Sequence, residues 1–256
     1  MKNILLLFLF CSSIAFAQKK TYTHSLQGVE KVQINSDTKI TVVSGNASQL
    51  EISGVKNEKD DKKLMEKKKG LKAIYSGGED TTDGFGFSIN KEGTVLIIND
   101  LKSFYQRGKI TITLPKTMNI DINAGNMGAI NIDGFSSELE LRTNIGKIDL
   151  KNVTGPITAH SSTGTISVDF STINQSSPIS ISTSVGEIDV SIPGSTKANL
   201  NVNSRGTIYT NFDFKAPPKK GLRNVSGLRK VNQQINGGGV NIKLHSSMGN
   251  IYLRKK

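Results

Sequence analysis

The sequence has almost no cysteine. Cys11 is the only one in 256 residues, so the chain can form no internal disulfide and no thiolate metal site. Tryptophan is absent and proline occurs six times, which excludes a collagen-like or proline-rich chain. With 25 glycines, this composition favours many short strands joined by tight turns.

The chain also lacks an apolar run long enough to cross a bilayer. Ile4 to Phe10 are seven apolar residues, whereas a transmembrane helix needs about 20. This run follows Lys2 and precedes Ala15-Phe16-Ala17, the small-x-small pattern of a signal-peptide cleavage site. We therefore expect residues 1–17 to be a signal peptide and the mature chain, residues 18–256, to be exported to the periplasm or the cell surface.

Acidic residues are in the minority. The 21 Asp and Glu face 33 Lys and Arg, a formal net charge of +12. Such a charge accelerates encounters with polyanions. For an exported chain the expected partners are envelope polysaccharide, anionic lipid or another envelope protein, and not nucleic acid. A basic surface that only keeps the protein soluble is equally compatible with the composition.

The sequence does contain an internal repeat. Six segments share an alternating apolar run, a polar corner with glycine, and a second alternating run. We expect each corner glycine to supply a positive φ where the chain turns between two strands. The corner glycines are Gly128, Gly146, Gly164, Gly186, Gly206 and Gly249, separated by 18, 18, 22, 20 and 43 residues.

Alternation with a period of two predicts strands with one buried face. The expected inward residues include Leu139 and Leu141 before a corner, Ile148 and Leu150 after it, and Ile208 with Thr210 in a later repeat. One rung buries about six aliphatic side chains at roughly 1.5–3 kcal/mol each, while ordering its residues costs about 1.5 kcal/mol apiece. A rung cannot fold alone, so the rungs must stack.

We therefore predict an all-β protein, a β-solenoid of stacked two-strand rungs of about 18 to 22 residues, forming one domain over residues 18–256. Regular rungs occupy residues 116–256, stacked in chain order and interrupted by a basic loop at 211–239. Residues 31–115 form a less regular β part with a charged excursion at 56–72. Its strands are expected within 31–45 and at 50–54, 71–76, 86–90, 94–100 and 108–115.

The corners TNIGKIDL, SSTGTISV, TSVGEIDV, NSRGTIYT and SSMGNIYL carry a family resemblance, with VVSG at Val42 to Gly45 as an N-terminal echo. They resemble a bacterial β-strand-repeat family of unknown function whose members are named putative adhesins, and more distantly the adhesin-head solenoids. The resemblance covers about residues 30–256. It implies a β-solenoid at the cell envelope without assigned activity. The family's aspartate after the corner glycine is replaced by Ala129, Lys147, Thr165, Glu187, Thr207 and Asn250.

One outward column of the predicted stack contains carboxylates that could act in catalysis. It contains Asp149 and Asp189, two rungs or about 9.6 Å apart, and also Tyr209 and Tyr252. That distance is close to the roughly 6.5–9.5 Å between the carboxyl groups of inverting glycosidases. Outward carboxylates, however, commonly serve to keep strands from aggregating, and no cleft-forming insertion lies beside these two. We predict no catalytic residue, and a polysaccharide-active β-helix enzyme remains an alternative.

A second outward column contains two histidines. His160 and His245 are expected in line with Arg142 and Ser182 but three rungs apart, about 14 Å. That separation is too large for a shared metal ion. The sequence has no calcium-loop or phosphate-loop motif, and we expect neither metal nor cofactor.

Two lysine-rich segments are the predicted functional surface. Residues 56–72 contain eight lysines and four acids, and residues 215–230 contain six Lys or Arg and no acid. The simpler interpretation of either segment is a solvated loop. We predict a non-enzymatic exported envelope protein, structural or adhesive, with binding of an anionic glycan or membrane through these segments as an alternative. The candidate residues are Lys62, Lys63, Lys67, Lys68, Lys69, Lys219, Lys220, Arg223, Arg229 and Lys230.

Overall fold

The computed structural model describes residues 20–45, 48–54, 66–102, 109–214 and 229–256. Twenty strands form two ten-stranded sheets in these ranges, whose only α-helix is one turn at residues 66–68. The predicted all-β stack is confirmed. The predicted signal peptide, with Ala15 and Ala17, lies outside the described residues.

The strands alternate between short corners and longer connections. In the N-terminal half they are β1 (Lys20–Ser25), β2 (Lys31–Asn35), β3 (Ile40–Gly45), β4 (Gln49–Gly54), β5 (Phe87–Glu92), β6 (Val95–Asp100) and β7 (Ile110–Pro115). In the repeat region they are β8 (Asn119–Asn123), β9 (Ile130–Asp133), β10 (Leu139–Thr143), β11 (Ile148–Val153), β12 (Ile157–Ser161), β13 (Ile166–Phe170), β14 (Ile179–Thr183), β15 (Ile188–Ile192), β16 (Ala198–Ser204), β17 (Ile208–Thr210), β18 (Arg229–Ile235), β19 (Val240–Ser246) and β20 (Ile251–Lys255).

Each rung contributes one strand to each sheet. Sheet 1 has the order β1-β4-β7-β3-β9-β11-β13-β15-β20-β17, and sheet 2 has the order β18-β16-β19-β14-β12-β10-β8-β2-β6-β5. Strands from neighbouring rungs pair in parallel and in register, so that Leu139 lies between Ile120 and Ile157. Equivalent repeat positions therefore form columns along the stack, and the inward columns of both sheets join in one hydrophobic cluster.

The rungs do not stack in chain order, contrary to the expectation from the sequence. The rung β2/β3 lies between β6/β7 and β8/β9, and the rung β19/β20 lies between β14/β15 and β16/β17. A long connection accompanies each displacement: β4, residues 55–86 and β5 follow β3, while residues 211–228 and β18 follow β17. A parallel pair always needs such a crossover, and these two are long enough to pass over a rung.

Antiparallel strands close three of the four described sheet edges. β1 pairs antiparallel with β4 on sheet 1, β5 with β6 on sheet 2, and β18 with β16 at the other end of sheet 2. Residues 229–235, which the sequence placed in a basic loop, form this last cap. The fourth edge is β17, a strand of only three residues that pairs in parallel with β20.

Most of the predicted inward residues are buried, including Leu139, Leu141, Ile148 and Leu150. Ile208 is only partly buried and Thr210 is exposed, because β17 has a strand on one side only among the described residues. The strand predicted at residues 71–76 is absent. Its alternating apolar residues find no partner strand, so the side chains of Leu71 and Ile74 are 73% and 94% exposed.

The corner glycines serve a different purpose from the one expected. None of the six adopts a positive φ. Instead, a Cβ at Gly146 would lie 1.7 Å from the carbonyl oxygen of Gly128, and a Cβ at Gly249 would lie 1.8 Å from that of Gly186. The glycines are required because the backbones of successive rungs approach too closely for any side chain. VVSG is no corner either, since Val42 to Gly45 end strand β3.

Candidate functional site

The positive charge of the described residues is concentrated at one end of the stack. The described residues of 193–256 contain eight Lys and Arg and one acid, Asp213, whereas the other described residues contain 14 basic and 17 acidic residues. They build the last two rungs and the β18 cap. We call residues 193–214 and 229–256 the C-terminal pole. Its described cations are Lys197, Arg205, Arg229, Lys230, Lys243, Arg254, Lys255 and Lys256.

Two tyrosines stack on the outward face of sheet 1 at this pole. Tyr209 of β17 lies opposite Tyr252 of β20 in the parallel register. Their ring centroids are 5.2 Å apart and the ring planes are inclined by 8°. Tyr209 remains half exposed. The hydroxyl of Tyr252 donates to Glu187 Oε1 at 3.2 Å, so the inner ring is tethered while the outer ring is available.

An exposed ion pair adjoins the tyrosines. Arg254 Nε and Nη2 donate to the two carboxylate oxygens of Asp189 at 2.7 and 2.9 Å. These hydrogen bonds, followed by the charge of Asp189, raise the pKa of Arg254 above its ordinary value. The guanidinium carbon lies 5.6 Å from the ring centroid of Tyr252, within the range of a cation–π contact. Arg254 is thereby fixed beside the aromatic pair.

A groove of about 440 Å³ runs across the outward face of β15, β20 and β17. Tyr209 and Tyr252 line it, and the cations Arg254, Lys255 and Lys256 lie at the carboxyl end of β20. At the start of β17, Arg229 Nη1 donates to the carbonyl oxygens of Arg205 and Gly206 at 2.6 and 2.7 Å. Arg205 and Arg229 therefore lie outside the groove, at the opposite end of the strand that contains Tyr209. The lining residues are Ser191, Tyr209, Thr210, Asn211, Tyr252, Leu253, Arg254, Lys255 and Lys256.

The outward face of sheet 2 at the pole is rich in amides. Three outward residues of β18 lie opposite three of β16, and these lie opposite three of β19. Asn199 Nδ2 donates to Gly239 O at 2.8 Å and to Asn241 Oδ1 at 3.2 Å, while the buried Asn199 Oδ1 has no described partner. A groove of about 360 Å³ crosses this face. We call these nine residues the amide grid: Gln234, Asn199 and Asn241; Asn232, Asn201 and Lys243; Lys230, Asn203 and His245.

A family match accounts for most of this architecture. Residues 119–254, from the start of β8 into β20, match the family described as Toastrack DUF4097. The chain belongs to the Toastrack DUF4097 family. The resemblance inferred from the corners is thus confirmed, and the family's repeats are those of the rungs that carry the groove and the amide grid.

Two solved structures are similar to this Toastrack chain. A "putative cell adhesion protein" from Clostridium sporogenes is 15% identical with a TM-score of 0.44, and the alignment covers 93% of this chain and 99% of that one. A "putative adhesin" from Bacteroides fragilis is 12% identical with a TM-score of 0.36, covering 93% and 97%. No curated protein matches. At these identities and TM-scores the two structures say nothing about a ligand.

The predicted basic residues of the Toastrack chain do not form one surface. Lys67, Lys68 and Lys69 lie exposed at the helical turn between β4 and β5. Arg229 and Lys230 begin β18. β5 and β18 are the two edges of sheet 2, nine strand intervals or about 43 Å apart. The remaining candidates, Lys62, Lys63, Lys219, Lys220 and Arg223, lie outside the described residues.

Both outward columns predicted from the sequence are present in the structure, but the spacing of the two histidines differs from the predicted one. Asp149, Ser167 and Asp189 occupy successive rungs as predicted, and Lys147 Nζ lies 3.5 Å from Asp149 Oδ2. His160 and His245 are separated by β14 alone, so their strands are two rungs or about 9.6 Å apart instead of three. Within the described ranges no group of three His, Cys, Asp or Glu could hold a metal ion.

No helix in the described part of the chain is long and apolar enough to span a membrane. Tyr209 and Tyr252 fall in one column of the stack predicted from the sequence, but they were not predicted as a site. The available signal was the recurrence of tyrosine at the same repeat position, three residues after Gly206 and Gly249. The amide grid was missed because β18 was taken for a loop.

Proposed function

We propose that this Toastrack protein is an exported, non-enzymatic binding module of the cell envelope. The observation that carries the proposal is the C-terminal pole, where cations, stacked tyrosines and amides lie exposed on paired strands. Rigid elements that present aromatic and arginine side chains are typical of binding surfaces. The N-terminal signal pattern, Lys2 followed by an apolar run and Ala15-Phe16-Ala17, supports export.

The arrangement of carboxylates favours binding over hydrolysis. Asp189 is held by both guanidinium donors of Arg254, and Asp149 faces Lys147. The lining of each groove at the pole contains no Asp or Glu. A glycosidase needs two carboxyl groups on either side of the scissile bond, and neither groove supplies such a pair from its lining residues.

A second candidate function is the recognition of an anionic partner, favoured by the uneven distribution of charge. A net excess of seven positive charges in the C-terminal pole directs polyanions to one end of the molecule. Screening at physiological ionic strength limits this attraction to about 8 Å, so the lysines near β5 cannot contribute to the same encounter.

Export is tested by expressing the full chain in a bacterium and identifying the product by fractionation and N-terminal sequencing. We expect the protein outside the cytoplasm with Gln18 as its first residue, and Ala17→Leu to block cleavage. An uncleaved cytoplasmic product from the unaltered chain would refute the export part of the proposal.

Binding without catalysis is tested on the purified mature chain with a panel of glycans, anionic vesicles and envelope extracts. We expect retention of at least one class of ligand and no change in glycan chain length after prolonged incubation. Turnover of any glycan that is abolished by Asp149→Asn or Asp189→Asn would contradict the proposal and favour the enzyme alternative.

A further inference from the structure

The groove on sheet 1 combines two kinds of recognition that a single ligand must satisfy. The stacked Tyr209 and Tyr252 line it together with the cations Arg254, Lys255 and Lys256. Tyrosine rings have an apolar body and a polar edge, which suits the alternating C–H and hydroxyl surfaces of a sugar ring. Arginine and lysine suit carboxylates.

The outer tyrosine is the better exposed half of the aromatic pair. One face of the Tyr209 ring packs against Tyr252, and the side chain is nevertheless half exposed. Asp189, Tyr252 and Tyr209 follow one another across β15, β20 and β17, so Tyr209 is the outermost ring of the pair. A sugar ring in the groove would contact the exposed part of its side chain.

The cations near Tyr209 differ in how far they are already neutralised. Arg254 is paired with Asp189, and Lys256 Nζ is hydrogen-bonded to Asp169. Lys255 also lines the groove but has no acidic partner among the described residues. The groove therefore has one cation, Lys255, that is not already paired with a carboxylate.

We propose that this groove binds an extended polysaccharide bearing carboxylate groups. One sugar ring packs against the exposed part of Tyr209, and a carboxylate of the same polysaccharide pairs with Lys255. Asn211 and Thr210 contact the hydroxyl groups between them. The proposal rests on the proposed function and names the ligand class and the site through which the module acts.

An acidic polysaccharide fits the site better than a lipid surface does. A membrane would contact the pole through a flat array of cations and would gain little from a tyrosine whose ring is already half covered by its neighbour. A polysaccharide strand fills a groove, and its charges recur along its length. Binding of anionic vesicles is therefore the alternative that the experiment distinguishes from binding of a polysaccharide.

The test measures binding of polygalacturonate to the mature chain by affinity electrophoresis and titration. We expect Tyr209→Ala to weaken binding roughly tenfold and Tyr209→Phe to retain it, because the ring face is kept. Lys255→Ala is expected to weaken binding more than Lys243→Ala, the matched control that removes one charge from the amide grid on sheet 2 of the same pole. Thermal unfolding of each variant shows whether it is folded.

Four results would overturn the inference. Equal weakening by Lys255→Ala and Lys243→Ala would show attraction to the whole pole without a groove site. Unchanged binding by folded Tyr209→Ala would remove the aromatic contact. Binding of phosphatidylglycerol vesicles in the absence of polygalacturonate binding would make the pole a membrane surface. If the unaltered chain retains another glycan or an envelope protein but not polygalacturonate, the inference fails while the proposed function stands.

Discussion

The hydroxyl of Thr143 donates a 2.7 Å hydrogen bond to the carbonyl oxygen of Gly128 in the neighbouring rung. It also accepts the N–H of Gly146 at 3.2 Å. Because Thr143 is only 3% exposed, it satisfies two backbone groups that water does not reach. The same hydroxyl-to-glycine bond recurs along the stack, from Ser161 to Gly146, Thr183 to Gly164, Ser246 to Gly186 and Ser204 to Gly249.

Replacing Thr143 by valine tests this ladder. Valine keeps the shape but leaves the Gly128 carbonyl and the Gly146 N–H without the hydroxyl, and an unsatisfied buried group costs about 1–3 kcal/mol. We expect the free energy of unfolding to fall by that amount in denaturant titrations. Thr143→Ser keeps the hydroxyl and should lie much closer to the unaltered protein. Equal stability of the two variants would show that the ladder does not stabilise the stack.

Gly146→Ala tests the close approach of the rungs. The added Cβ would meet the Gly128 carbonyl oxygen at 1.7 Å, and backbone cannot move aside as a side chain can. We expect a loss of about 1–3 kcal/mol or more. Gly77→Ala is the control, since its Cβ would meet only the end of Leu101 at 3.3 Å, and Gly77 has no positive φ. A Gly146→Ala variant as stable as Gly77→Ala would contradict the steric explanation.

The loop before β5 should be sensitive to acid. Burial alone would raise the pKa of Asp80, but hydrogen bonds from the hydroxyl and N–H of Thr82 and from the N–H of Gly86, with the charge of Lys102, lower it below 3.8. A carboxyl group whose pKa is lower in the folded than in the unfolded state contributes its full stabilisation at pH values above the unfolded-state pKa. This stabilisation is lost as the pH falls through the folded-state pKa.

Asp80→Asn should therefore cost about 1–3 kcal/mol at pH 7. The difference from the unaltered protein should shrink in titrations carried out below about pH 3.8. Asp213→Asn, at an exposed site on the C-terminal pole, serves as the control and should change little at either pH. A penalty for Asp80→Asn that is the same at pH 7 and pH 3 would show that the carboxylate charge is not involved.

Deleting residues 240–256 should destabilise the protein more than their position at the end of the sequence implies. β19 and β20 form an internal rung with five buried aliphatic side chains, worth roughly 1.5–3 kcal/mol each. Their loss is comparable with the whole unfolding free energy of a domain, about 5–15 kcal/mol. We expect no cooperative unfolding transition by circular dichroism. Deleting β1, an edge strand, should leave a cooperative transition, and similar behaviour of both deletions would contradict the rung order.

The columns of the repeat could be predicted from the sequence because parallel strands in register preserve repeat positions. That reasoning correctly placed Asp149 with Asp189 and His160 with His245, and it identified most inward residues. It failed at Leu71 and Ile74, because alternation predicts a strand only where another strand is available to pair with it. The role of the corner glycines was also predicted wrongly, because the sequence alone does not show whether a glycine is required for a positive φ or for a close approach of two backbones.

The rung order could not be predicted. β14 offers the same inward and outward alternation to β16 as to β19, so the pattern fits either neighbour. In chain order Asp189 would lie beside Tyr209, and the pairing of Arg254 with Asp189 would not form. The ion pair that orders the candidate site is thus a consequence of topology, and local sequence contains no information about it.

The position of β19/β20 also decides when the groove can be complete. At the N-terminal end, later rungs lie on both sides of β2/β3. At the other end, β16/β17 precedes β19/β20 in the chain but lies outside it in the stack. The groove that we assign to an acidic polysaccharide is lined by residues from β15, β17 and β20. Its surface is therefore complete only once β20 is in place between two strands that precede it in the chain.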